Sequence, residues 1–102
     1  MKNFETNKTV ENGTAIFELS GYLDSSTSPG FEQELQSVFD EKLNLVLSCE
    51  QLEYVSSAGL RVFLMAYKKA DANDTRFSLR SLKPEVREVI DMVGFSDILE
   101  IE

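Results

Sequence analysis

The sequence predicts a small α/β domain, a mixed β-sheet covered by helices mainly on one face, in the order β-β-α-β-α-β-α. Three observations predict it. An Asn12-Gly13 pair separates two candidate strands, an apolar run occupies Leu43–Cys49, and a stripe of helical period follows each of the last three strands. The chain has 102 residues, 42% hydrophobic and 27% charged, which is the makeup of one ordinary globular domain spanning residues 1–102.

Phe4 to Val10 is the weaker first strand, and Glu11-Asn12-Gly13 carries the Asn-Gly signal of a hairpin turn. Thr14–Ser20 places Ala15, Phe17 and Leu19 on one face. A polar loop after Gly21-Tyr22-Leu23-Asp24 leads into a helix with Phe31, Leu35, Val38 and Phe39 on one stripe. Pro29 suits its first turn, whereas Gly30 weakens that end. Leu43–Cys49 is apolar enough for a central strand. A short loop then precedes a helix from Ser57 to about Ala70, ended by Asn73-Asp74. Arg76–Arg80 alternates as another strand, and Pro84 opens a last helix with Val86, Val89, Ile90 and Val93 on one face and Gly94 as its stop. Asp97–Ile101 fits a short strand or a helical turn. The alternating polar residues Glu18 and Ser20, and Arg76, Ser78 and Arg80, leave one sheet face partly solvated. Right-handed crossovers make the three later strands mutually parallel.

Composition removes several function classes. Eighteen acidic residues against ten basic ones give a net charge of −8, which disfavours direct nucleic-acid binding and anionic membrane surfaces. The absence of histidine excludes Ser-His-Asp triads, Cys-His dyads and histidine-containing metal sites. A single cysteine, Cys49, allows neither a thiolate zinc cluster nor an internal disulfide, and its apolar context predicts a buried thiol in a reducing compartment. There is no Gly-rich phosphate loop, so neither a cofactor nor a metal is expected. The N-terminus lacks a signal-peptide profile and no segment is apolar enough to span a membrane, so a cytoplasmic location without membrane insertion is expected.

Ser56–Val62 is the most informative segment. It puts two hydroxyls and a glycine at the start of an apolar helix. Backbone N–H groups there are unpaired and sit at the positive end of the macrodipole, so a serine caps well and a phosphate is best tolerated. A Ser-Lys hydrolase is disfavoured. Lys68 is the first lysine of that helix and lies ~16 Å along the axis from Ser57, far beyond the ~3 Å reach of a base. Nothing points to Lys8 or Lys83 in that role, and the chain is not expected to be an enzyme. Leu60, Phe63, Leu64 and Tyr67 form the helix's predicted core stripe. Val62, Met65 and Ala66 are then either buried by neighbouring helices or part of a docking patch, for which an adaptable Met65 is suited. Arg61 is open to a partner, a phosphate or solvent, and Asp24 has an ordinary alternative as a turn residue.

Three stretches in this order and spacing carry a family resemblance: Gly21-Tyr22-Leu23-Asp24, Leu52-Glu53-Tyr54-Val55-Ser56-Ser57-Ala58-Gly59-Leu60, and Val93-Gly94-Phe95-Ser96-Asp97-Ile98-Leu99. On these the chain resembles STAS-domain proteins, most closely the stand-alone bacterial anti-sigma factor antagonists. The resemblance implies a STAS fold and a non-enzymatic partner switch. It implies Ser57 as the phosphoacceptor, with Ser56 as the alternative. The modifying partner would be an anti-sigma factor with serine kinase activity, and a PP2C-type phosphatase would reverse the reaction. Asp24 is placed beside the phosphorylation loop, and the implied partner surface comprises Asp24, Ser56, Ser57, Ala58, Gly59, Leu60, Arg61 and Met65. Relatives often have Asp before the modified serine, Ser or Thr after it, and an acid closing the third strand; here these are Ser56, Ala58 and Ser48. A monomer when free is expected. The second reading is a STAS adaptor that is never phosphorylated, acting as a subunit of a larger complex such as a lipid-transport assembly.

Overall fold

Alternation along the first two strands builds a hairpin on which the rest of the sheet is laid. In the computed structural model, which describes residues 3–102, β1 (Phe4–Glu11) and β2 (Thr14–Leu23) pair antiparallel across Asn12 and Gly13. Both turn residues have positive φ, 50° and 79°, so the turn twists with the strands it joins. Strands β3 (Asn44–Val55), β4 (Phe77–Arg80) and β5 (Glu100–Ile101) follow across the sheet in sequence order, each parallel to the one before it. Helices α1 (Ser28–Asp40), α2 (Ser57–Asn73) and α3 (Pro84–Met92) lie between successive parallel strands. The expected mutual parallelism of β2, β3 and β4 is therefore observed.

The core follows from register. Ala15, Leu45 and Phe77 lie in one row across the sheet, and Phe17, Leu47 and Leu79 in the next; all are buried. They share a single hydrophobic core with Phe31, Leu35 and Val38 of α1, Phe63 and Ala66 of α2, and Val86 and Ile90 of α3. Phe4 and Phe17 meet Phe31 edge-on, with ring centroids 5.2 and 6.0 Å away. The Thr6 hydroxyl donates to Glu34 and Lys8 Nζ to the Ser37 hydroxyl, tying β1 to α1. On the other side of the sheet Glu18 is exposed and Ile16 and Val46 are half-buried.

Three details differ from the sequence expectation. The loop predicted after Cys49 is strand, because β3 carries two irregularities. Between Ser48 and Gln51 it uses three residue steps where β2 uses two, and between Leu52 and Tyr54 it uses two where β2 uses one. Each extra residue resets which parity faces the core. Cys49, Leu52 and Val55, three residues apart, are thus all buried, while Glu50, Gln51, Glu53 and Tyr54 are exposed. A strict period of two makes this look like the end of a strand. Val93, expected on the core face of α3, is about half exposed because the helix stops at Met92 before Gly94 (φ 81°). The tail forms both predicted alternatives, a 3-10 turn at Phe95–Asp97 and then β5. Among the described residues no helix is long and apolar enough to cross a membrane.

Cys49 is fully buried, its thiol donating to the Leu47 carbonyl at 3.5 Å. Burial pushes its pKa up to about 12, because a thiolate there would be desolvated. At about pH 8 the thiolate fraction is then on the order of 10⁻⁴. The native protein should release no colour with Ellman's reagent, and the guanidinium-unfolded protein one equivalent. A full equivalent from the native state within the mixing time would contradict this burial.

Candidate functional site

The site is made where β2 and β3 end together. Leu23 pairs with Val55, and the Ser56 N–H donates to the Leu23 carbonyl at 2.9 Å. Beyond this pair one chain segment turns into α1 and the other into α2. The starts of both helices therefore open at the carboxyl edge of parallel strands, where α/β sheets characteristically place their sites. Only Ser56 separates β3 from α2. Gly59 makes this close junction possible. A Cβ on it would lie 2.7 Å from Val55 Cγ2 and 2.9 Å from both Leu23 Cγ and the Leu23 carbonyl oxygen. The first turn of α2 rests directly on both strand ends, and a side chain at this position would lift it.

The two serines are chemically alike in sequence and different in place. Ser56 has extended backbone and caps α2: its hydroxyl accepts from the Gly59 N–H at 3.4 Å and its carbonyl from the Leu60 N–H at 2.9 Å. Ser57 is the first helical residue, is exposed, and its hydroxyl makes no hydrogen bond among the described residues. One hydroxyl is used by the fold and the other faces solvent. Ala58 is half-buried, and Gly59 and Leu60 are buried beneath it.

Asp24 lies one residue beyond the Leu23–Val55 pair, next to Ser56 across the sheet end. Its Oδ1 accepts from the Ser26 hydroxyl at 2.7 Å, the Ser26 N–H at 2.9 Å and the Thr27 N–H at 3.1 Å. The Thr27 hydroxyl donates to the Tyr22 carbonyl and accepts from the Asp24 N–H. Asp24 thus builds the turn that launches α1. These bonds, the Ser26 hydroxyl first, hold its carboxyl below the ordinary 3.8. Tyr22 and Tyr54 lie side by side in the preceding row, ring centroids 5.5 Å apart.

The buried side of α2 is rotated from its predicted stripe. Gly59, Leu60, Val62, Phe63, Ala66 and Ala70 are buried, whereas Leu64, Met65 and Tyr67 are only half-buried. The reason is that α2 packs against α1 as well as β3 and β4, which draws Val62 and Ala66 inward. On the solvent side Arg61, Leu64, Met65, Lys68 and Lys69 line a groove of about 450 Å³.

The sequence model of the STAS domain family matches residues 5–102. The chain belongs to the STAS domain family. This STAS domain is 37% identical over 90 residues to BtrV of Bordetella bronchiseptica, named as a candidate anti-sigma factor antagonist, covering 87% of this chain and 78% of the relative. It is 30% identical over 91 residues to the anti-sigma F factor antagonist of Paenibacillus polymyxa, with the same coverages, 87% and 78%. Among solved structures it matches the Bacillus cell fate determinant SpoIIAA in two forms. The TM-score is 0.81 against the unphosphorylated form, covering 98% of this chain and 88% of that one. Against the phosphorylated form it is 0.75, covering 98% and 91%. At 19% identity both likenesses show the fold.

Asp24, Ser56, Ser57 and Ala58 are brought together at the sheet end, with Arg61 in the first turns of α2 and Met65 one turn further along. Sequence reasoning missed the partners of Asp24 in its turn, the Tyr22–Tyr54 pair, and Leu64, Lys68 and Lys69 on the groove. The signal for the groove was available: Ser57 to Ala70 contains no acidic residue.

Two predictions follow from this geometry. Ser56→Ala should lower unfolding free energy by roughly 1 kcal/mol through loss of the cap, whereas Ser57→Ala should change it by less than about 0.5 kcal/mol. Urea titration of both variants checks this, and the reverse order would exchange their roles. Because the folded pKa of Asp24 is depressed, its stabilisation is fully present above about 3.8 and is lost as pH falls through the folded value. Asp24→Asn should therefore lose less stability than the wild type between about pH 6 and about pH 3. Equal losses would mean that the turn does not depend on the carboxylate charge.

Proposed function

We propose that this STAS domain is an anti-sigma factor antagonist whose affinity for its anti-sigma factor is switched by phosphorylation of Ser57. The observation that carries the reading is the division of labour between the two serines. Ser56 satisfies the helix start, and Ser57 is left exposed on the first turn, bonded to nothing among the described residues. The names of the relatives support the antagonist role, and SpoIIAA, matched in fold, is known in unphosphorylated and phosphorylated forms.

In the dephosphorylated state the Ser57 turn, the Asp24 turn and the first turns of α2, with Ala58, Arg61 and Met65 on their surface, dock on the anti-sigma factor and release its client. The anti-sigma factor acts as a serine kinase. Ser57 Oγ bonds to the γ-phosphorus of ATP, the β–γ phosphoanhydride bond breaks, ADP leaves and the hydroxyl proton is lost. A PP2C-type phosphatase returns the serine by hydrolysis. The domain itself acts by binding rather than by catalysis.

The phosphate adds about −1.5 to −2 charge to a chain already at −8. Asp24, held ionised by its turn, lies at the same sheet end. Burying a dianion in an interface shaped for a neutral hydroxyl costs several kcal/mol, and about 1.4 kcal/mol is already tenfold in affinity. No change of fold is required.

Incubation with the anti-sigma factor and ATP should add one phosphate, which peptide mapping places on Ser57. Mapping to Ser56 would move the switch to the cap, and no mass increase would favour an unphosphorylated adaptor. In calorimetry Ser57→Asp should bind the anti-sigma factor at least about tenfold more weakly than Ser57→Ala. Equal affinities would sink the switch.

A further inference from the structure

The cations of α2 lie outside the ion pairs of the fold. In a chain with 18 acidic and 10 basic residues, Ser57 to Ala70 contains Arg61, Lys68 and Lys69 and no acid. Arg76, Arg80 and Arg87 each form an ion pair, with Glu100, Glu102 and Asp91; among the described residues Arg61, Lys68 and Lys69 form none. The helix macrodipole does not account for them either. It would place acids in the first turn and bases in the last, and α2 has neither. Positions 61, 64, 65, 68 and 69 fall at i, i+3, i+4, i+7 and i+8, so they share one face. On that face half-buried Leu64 and Met65 form an apolar floor flanked by the three cations.

We infer that this face of α2 docks an acidic amphipathic helix of the protein's partner, whose apolar side sits on Leu64 and Met65 and whose carboxylates pair with Arg61, Lys68 and Lys69. The inference rests on the reading of the chain as a partner-binding protein and not on phosphorylation of Ser57. Charge complementarity selects the occupant: three unpaired cations call for carboxylates, and the apolar floor calls for aliphatic side chains between them. A neighbouring helix with anchors at i, i+3 and i+4 supplies both at ordinary helix-packing distance. A polyphosphate satisfies the cations alone and leaves Leu64 and Met65 uncovered, and an anionic lipid surface is broad enough to meet the acidic remainder of the chain, where a helix meets only the groove. The groove begins at Arg61, one turn from Ser57, and so continues the interface proposed above, which then runs ~16 Å along α2 from Ser57 to Lys68.

The test uses the full chain, isotopically labelled, and a labelled peptide of about 18 residues, long enough to be helical, with leucines on one face and glutamates beside them. A control peptide carries lysine in place of every glutamate. The acidic peptide should bind saturably, with amide shifts centred on residues 61–69, and the control should not shift these residues. The variant Lys68→Glu with Lys69→Glu, exposed positions that leave the core intact, should weaken acidic-peptide binding by about tenfold or more. Raising salt should weaken it in the wild type far more than in the variant. Ser57→Ala should bind the peptide as the wild type does, so failure here leaves the phosphorylation test standing, and an unmodified Ser57 leaves this one standing. Equal shifts of residues 61–69 by the two peptides, no binding of the acidic one, its shifts centred away from α2, or an unchanged affinity in the double variant would overturn the inference. So would uptake of the chain by vesicles containing anionic lipid that depends on Lys68 and Lys69 and exceeds peptide binding.

Discussion

The pairing of Leu23 with Val55, continued by the Ser56 N–H on the Leu23 carbonyl, is the contact on which the rest of the site depends. It ends two parallel strands at one level, so two helices must start side by side. Much of what is available to those starts is used. Thr27 and Ser26 are taken up by Asp24, Ser56 by the Gly59 N–H, and the space above Leu23 and Val55 by a residue without a side chain. Among the described residues, the hydroxyls outside this network at the α1 start are those of Ser25 and of buried Ser28, and at the α2 start that of exposed Ser57. The availability of Ser57 is therefore a by-product of how fully its neighbours are engaged.

Electrostatics divide at the same place. On the β2 side of Ser57 stands a carboxylate kept ionised by its own turn; on the α2 side stands a helix face with cations only. A chain of net charge −8 is thus far from uniformly acidic near this edge. A neutral hydroxyl between the two regions perturbs neither, while any added negative charge changes the balance for a partner that must meet both.

Most of the architecture was legible in the residues. Asn12-Gly13, Pro29, Pro84 and Gly94 mark boundaries through backbone conformation, which is local and needs no knowledge of the fold. The stripe Phe31, Leu35, Val38 and Phe39 was read correctly because α1 presents a single side to the core. The second half of β3 and the buried side of α2 were not legible. The first depends on extra residues that change strand parity. The second depends on a neighbouring helix, α1, that redirects burial towards Val62 and Ala66. At the site, the sequence placed Ser56 and Ser57 at the helix start but could not say which would cap, since that turns on backbone dihedrals at one residue.

The two irregularities of β3 carry a consequence for how such a chain can vary. Each irregularity takes up one residue of β3 that β2 lacks, so the stretch from Ser48 to Val55 holds two residues more than a regular ladder beside Glu18–Leu23 needs. Glu50, Gln51, Glu53 and Tyr54 face outward and tolerate exchange of their side chains. Removal of Glu50 or Gln51 would restore regular alternation beside β2, with Leu52 and Val55 still on the core face and the serines at the same sheet end. Divergence through this segment is therefore open to substitution of its outward side chains and to loss of an irregularity, and an intact site is marked by the Leu23–Val55 pair rather than by the residue count before it.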